Sequence, residues 1–213
     1  MSYIELDLEH YPRRDHLAYF SSLQYPYVGV TSNMDVTELV AFCKSRSYSF
    51  YLVFLHAAAL AADGIPELRR RIRGKKVIEY STCPSSHTEL REDGTYCYCT
   101  LHHQLPLEEY IPYAEAVRTQ CRLTGSIEEG EDAESMYFIS TLPWVHYTAL
   151  IQPVAGGDES NPRITWGKFQ EDHKGRLQMP VSLLAHHGLV DGIHIAQFYE
   201  NLQQQIQTLI ESP

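Results

Sequence analysis

Two histidines, His186 and His187, close an apolar run, Met179 to Leu184, and lead into Gly188-Leu189-Val190-Asp191-Gly192. A histidine at such a junction is gripped by a strand while its ring faces a cleft, which suits a general base working near neutral pH. Asp191 stands four residues after His187 and invites a dyad in which a carboxylate orients the ring. His187, Asp191 and His194 also have the one-face spacing of a helical metal site, but Gly188 and Gly192 oppose a regular helix there, so no metal is expected.

The elements that must hold these residues are legible on either side. From Ile193 to Ile210, apolar residues at 195, 198, 199, 202, 206 and 209 have helical period, so the region reads as strand, tight turn and helix, with the two glycines permitting the turn. Earlier, Ile4, Leu6 and Leu8 alternate as an opening strand, and Pro12 can start a helix running to Phe20. Tyr25 to Ser32 looks like a loop entering a strand, and Asp35-Val36-Thr37-Glu38 has capping-box spacing for a helix through Cys43. Phe50 to Ala62 is an almost wholly apolar helix, stopped by Gly64 and Pro66.

Val77 to Thr100 reads as short strands with a hairpin at Asp93-Gly94, and Leu107 to Arg122 as a helix. Met136–Ser140, Trp144–Ile151, Arg163–Phe169 and Leu177–Leu184 read as the main strands, with a turn at Lys174-Gly175 and a loop over residues 156–162. This order fits an α/β two-layer sandwich, a mixed β-sheet covered by helices, as a single domain over residues 1–213.

Composition excludes several classes. A formal net charge of −10 argues against a nucleic-acid partner, which would need a basic face, and gives no steering toward anionic membranes. The first residues lack a basic start and an apolar core, and the longest apolar run, Tyr51 to Ala62, is too short for a bilayer, so no membrane association and a cytoplasmic location are expected. Five cysteines without a C-x-x-C pair fit reduced thiols, with Cys97 and Cys99 on one face of a strand. The one basic cluster, Arg69 to Lys76, reads as an exposed charged helix end, with phosphate attraction as its functional alternative.

The motif H-H-x-x-x-D-G at residues 186–192, Tyr11-Pro12-Arg13-Arg14-Asp15-His16, Ser140-Thr141-Leu142-Pro143-Trp144 and Ile164-Thr165-Trp166-Gly167-Lys168 occur here in one order. Together they resemble the chloramphenicol acetyltransferase family, part of a superfamily of CoA-dependent acyltransferases, and the resemblance covers nearly the whole chain. It implies that His187 is the general base, that the Ser140 hydroxyl holds the oxyanion, and that Thr165 binds the intermediate through water. It also implies that Asp191 forms a buried pair with Arg13 and shapes the turn, while backbone orients the ring, against the dyad that spacing alone suggests.

Tyr27, Val28, Trp144 and Lys168 are further substrate-contact candidates by the same resemblance. Acetyl-CoA is the implied co-substrate, with no tightly bound cofactor, and chloramphenicol the implied acceptor, which would make the chain an antibiotic-resistance enzyme. The implied assembly is a homotrimer with active sites between subunits. One departure stands out: the family's lysine before the Phe-Tyr pair is replaced by Ser49. Two other readings stay open, acyl transfer to another small alcohol or amine, and a non-catalytic ligand-binding trimer.

Overall fold

A stretch as uniformly apolar as Phe50 to Ala62 has no polar face to offer solvent, and it becomes the buried centre of the molecule. A computed structural model describes residues 1–128, 133–156 and 159–211. Its elements are β1 (Tyr3–Glu5), α1 (Arg14–Ser21), β2 (Tyr27–Asp35), α2 (Thr37–Arg46), α3 (Phe50–Asp63), α4 (Pro66–Arg69), β3 (Arg70–Arg73) and β4 (Lys76–Tyr80). They continue as β5 (Ser85–Leu90), β6 (Tyr96–Leu101), α5 (Leu107–Thr124), β7 (Tyr137–Leu142), β8 (Arg163–Gly167), β9 (Gln170–Glu171), β10 (Leu177–His186) and α6 (Gly192–Glu211).

Seven strands form a mixed sheet, β2-β10-β8-β7-β5-β6 with β9 on β10. The pairs β5-β7 and β7-β8 are parallel, the rest antiparallel. A smaller sheet, β1-β4-β3, lies apart from it. Side chains alternate between the faces of a strand, and this alternation divides the main sheet. Ile139, Ile164, Val181 and Leu183 belong to the core with the apolar residues of α3 and α6, and Phe54 of α3 meets Trp166 ring to ring at 4.9 Å. α6 adds Ile195, Phe198, Leu202, Ile206 and Leu209, each worth roughly 1.5–3 kcal/mol when fully buried.

The opposite face is polar and half-open. The register sets Ser140 beside Thr165, Thr165 beside Ser182, and Ser182 beside Thr31, one hydroxyl per strand across β7, β8, β10 and β2.

Several expectations need correction. Trp144 to Ile151 forms no strand: its apolar letters imitate one, but Trp144 and Ile151 face solvent at 69% and 94% exposure. This segment is held to the sheet by side chains, Tyr147 donating to the Thr165 carbonyl (2.8 Å) and Gln152 to the Thr165 hydroxyl (2.7 Å). β8 stops at Gly167 and not at Phe169, because the next backbone N–H, that of Lys168, donates to the Val145 carbonyl (2.8 Å) and not to a neighbouring strand.

The capping box is not made either. α2 starts at Thr37, whose N–H and hydroxyl both go to the Asp35 carboxylate (3.0 and 2.6 Å). β1 is shorter than the alternation of Ile4, Leu6 and Leu8 suggests, and Ile4 is exposed. The basic cluster is no exposed helix end: it forms β3, where Arg71 is fully buried and donates to the carbonyls of Leu68, Arg70, Glu134 and Met136. Arg70 is paired with Glu67 and Glu79, and Arg73 with Glu134. Of the expected loop 156–162, residues 157 and 158 lie outside the described residues.

Asp63, at the end of α3, ties the helical layer to the sheet. Its carboxylate accepts from Tyr137 (2.8 Å), Cys83 N–H (3.0 Å), His103 (2.9 Å), Gln104 (2.8 Å) and the Thr82 hydroxyl. Burial opposes ionisation, yet the donors from His103, Thr82 and Tyr137 hold the carboxyl below its ordinary 3.8. A depressed folded pKa gives stability that is present above the ordinary value and lost as pH falls through the folded one. Replacing Asp63 with Ala is therefore expected to cost roughly 2–4 kcal/mol in urea unfolding at neutral pH, with the gap narrowing in acid. A cost under about 0.5 kcal/mol would remove this tie from the fold.

Candidate active site

β10 is paired along its length with β2 and over Val181 to Leu184 with β8, so it delivers His186 to a fixed point. There the chain turns, with the N–H groups of Leu189 and Val190 both donating to the His186 carbonyl (3.0 and 2.9 Å). A Cβ at Gly188 would come within about 3 Å of the His186 ring and Leu17, so a side chain there would have to push both aside. Gly192 has no such neighbour, and neither glycine adopts positive φ. The turn needs room at 188 and nothing special at 192.

His187 is held at both backbone ends. Its N–H donates to the Pro26 carbonyl (2.7 Å), and its carbonyl accepts from Arg13 (2.9 Å). The ring stacks on Phe20 of α1 at 3.9 Å between centroids, 23° from parallel. Nδ1 lies 2.9 Å from the Val190 carbonyl. A carbonyl can only accept, so Nδ1 carries the proton and the lone pair sits on Nε2. Among the described residues nothing hydrogen-bonds Nε2, and the residue is only half-buried.

Asp191 does not touch the ring. Its carboxylate takes Arg13 on one oxygen (3.0 Å) and the Gly192 N–H on the other (2.7 Å), and these two donors, Gly192 first, hold the carboxyl below the usual aspartate range. The dyad suggested by spacing is absent, because the Val190 carbonyl occupies the position an orienting carboxylate would need. The pair is also not fully buried: Arg13 is 14% exposed, Asp191 44%. His194 accepts the Asp191 N–H through Nδ1 (2.9 Å). Among the described residues there is no group of three His, Cys, Asp or Glu side chains placed to hold a metal.

Ser140 and Thr165 form a second cluster. They are register partners on the polar face, Thr165 buried and Ser140 beside a cleft of ≈ 220 Å³. The Thr165 hydroxyl accepts from Gln152, so its own proton is free to point elsewhere. Ser182 is two strands from Ser140, and His187 lies five residues beyond Ser182. At about 3.3 Å per residue and 4.8 Å per strand, the backbones at Ser140 and His187 are about 19 Å apart in one chain.

The weaker candidates fall outside both clusters. The Tyr27 hydroxyl bonds the carbonyls of Gly156 and Glu159, and its ring meets His186 edge-on. Val28 pairs with Ala185. Trp144 is exposed, and Lys168, also exposed, bonds through its N–H to Val145. Phe20 and Gln152 escaped the sequence reading. The aromatic pair Tyr19-Phe20 and a lone amide inside an apolar stretch were the available signals.

A family model described as chloramphenicol acetyltransferase matches residues 1–203. The chain is 27% identical to chloramphenicol acetyltransferase 3 of Escherichia coli over 207 residues, 96% of this chain and 97% of that one. It is also 27% identical to a chloramphenicol acetyltransferase of Bacillus pumilus over 206 residues, 93% and 91% of the two chains. Among solved structures, a chloramphenicol acetyltransferase superposes with a TM-score of 0.88 at 22% identity, covering 96% of this chain and all of that one. A probable dihydrolipoamide acetyltransferase from Listeria monocytogenes superposes at 0.67 and 14% identity, with 93% of each chain covered. At these identities the superpositions speak for the fold alone.

Nitrogen NMR of the His187 ring is expected to show Nδ1 protonated and Nε2 bare in the neutral form. A neutral ring protonated on Nε2 would contradict the Val190 bond, and Asp191→Asn is expected to leave the neutral tautomer unchanged.

Proposed function

The chain belongs to the chloramphenicol acetyltransferase family, and from that premise we propose that it moves an acetyl group from acetyl-CoA to a hydroxyl of a small molecule. The observation that carries this reading is the His187 tautomer, whose bare Nε2 is a base with nothing else to bind. In the proposed step, Nε2 takes the acceptor's hydroxyl proton as the oxygen attacks the thioester carbon. The Ser140 hydroxyl donates to the oxygen that becomes negative, and Thr165 supports the intermediate through water. Collapse breaks the carbon–sulfur bond, and the imidazolium returns its proton to the departing thiolate. No enzyme-bound acetyl is formed, so Ser140 is a donor and not a nucleophile.

Within one chain His187 and Ser140 are too far apart to share a substrate. The proposal therefore includes an assembly, a homotrimer by analogy with the family, in which His187 of one copy faces Ser140 of the next. A closed ring of three would repeat that heterologous contact three times. No helix among the described residues is long and apolar enough to cross a membrane, and a supply of acetyl-CoA puts the reaction in the cytoplasm.

Chloramphenicol, the acceptor in the relatives' names, is the first to test, and its acetylation would make the enzyme a resistance determinant. A second reading, another small alcohol or amine, is favoured by the cleft at Ser140, which is lined by Ser86, Thr88, Tyr98, Gln152 and Arg163 as well as Phe138. Thiol release from acetyl-CoA, measured with chloramphenicol and a panel of alcohols, is expected to require an acceptor. It is expected to fall about 10²–10⁴-fold in His187→Ala and about 10²–10³-fold in Ser140→Ala. Full activity in His187→Ala would overturn the mechanism, and no release with any acceptor would leave the non-catalytic trimer.

A further inference from the structure

The Ser140 cleft carries a cation that the acetyl-transfer step does not use. The register pairs Phe138 with Arg163 and Arg163 with Leu184, and places Arg163 two residues before Thr165 on β8. Its side chain therefore shares the polar face with Ser140 and Thr165, about 7 Å further along the strand. The guanidinium lies over the Phe138 ring at 5.1 Å and is only 13% exposed. Burying a cation in mid-sheet is costly unless it is paired, and in a chain of formal net charge −10 it is the group most able to hold an anion there.

Among the described residues Arg163 meets one carboxylate, Glu159. A guanidinium has five N–H donors, and one carboxylate cannot take them all. The side chain borders both the Ser140 cleft and the neighbouring one that contains Glu159, so it stands between its own partner and the space beside Ser140. The rest of the Ser140 cleft offers hydroxyls, from Ser86, Thr88 and Tyr98, and the Gln152 amide that already holds Thr165. A wholly apolar acceptor would leave the Ser86 and Thr88 hydroxyls of this cleft without partners.

We infer that the acceptor taken in this cleft is a small hydroxylated carboxylic acid, its carboxylate on Arg163 and its reacting hydroxyl turned, beside Ser140, toward the His187 that a second copy supplies. This rests on the acetyl-transfer reading above and specifies its substrate class. The chemistry of the step is unchanged: the acid's hydroxyl oxygen gains the acetyl group, its proton passes through His187, and CoA leaves as the thiol.

The test measures thiol release from acetyl-CoA with omega-hydroxyalkanoates and para-hydroxymethyl benzoate, each beside its primary amide, and with chloramphenicol. The wild-type protein is expected to favour each acid over its amide by about tenfold or more in kcat/KM, the worth of a charged hydrogen bond. Arg163→Gln is expected to abolish that preference mainly through KM, and Arg163→Lys to keep part of it. Equal use of acids and amides by the wild type, or an equal loss for both in Arg163→Gln, overturns the inference. Turnover of chloramphenicol alone overturns it while leaving acetyl transfer intact, and no release with any acceptor overturns both.

Discussion

The Val190 carbonyl fixes which nitrogen of His187 carries the proton, and the proposed chemistry depends on that one hydrogen bond. An imidazole free to exchange tautomers would leave Nε2 bare only part of the time. Here the bond is intraturn, three residues apart, and the turn is in turn gripped by Pro26 and Arg13 on the two backbone groups of His187. Phe20 stacks on one ring face, which favours the same ring orientation. Arg13 does double duty by binding both the His187 carbonyl and the Asp191 carboxylate.

The sheet supplies the other half of the arrangement by separating its faces. The apolar face is consumed by α3 and α6, leaving the line of hydroxyls from Ser140 to Thr31 on the side the helices do not cover. The segment carrying Tyr147 and Gln152 crosses this face without joining the ladder, so its side chains can bind Thr165 and still leave a cleft open at Ser140. The same β10 that registers Ser182 with Thr165 carries His187 well beyond them. A rigid strand thus keeps His187 and Ser140 apart within a chain, and the proposed second copy would bring them together.

Much of this was legible in the sequence where local physics decides. α3 announced itself by unbroken apolarity and α6 by its period, and the strand-turn-helix around His187 followed from an apolar run meeting glycines. Trp144 to Ile151 misled because apolar composition cannot tell a strand from a covering segment with exposed aromatics. Arg71 misled because charge in sequence does not reveal four backbone carbonyls waiting in the fold. At the site, spacing suggested an Asp191 dyad, and the resemblance pointed instead to backbone orientation of the ring, the arrangement that the geometry has. Val190 was invisible as a partner because its backbone, and not its side chain, makes the bond.

If the reaction centre is shared, two inactive proteins must repair each other. His187→Ala and Ser140→Ala chains, each folded and each inactive, would be mixed in equal amounts under conditions that exchange subunits, and acetyl transfer measured. A ring of three with one His187 and one Ser140 at every junction regains a single intact junction in each mixed assembly, so the activity returns to about a quarter of the wild-type value. No recovery, with exchange of subunits verified, would mean that base and donor must come from one chain, which a separation of about 19 Å forbids, and the proposed shared centre would fall.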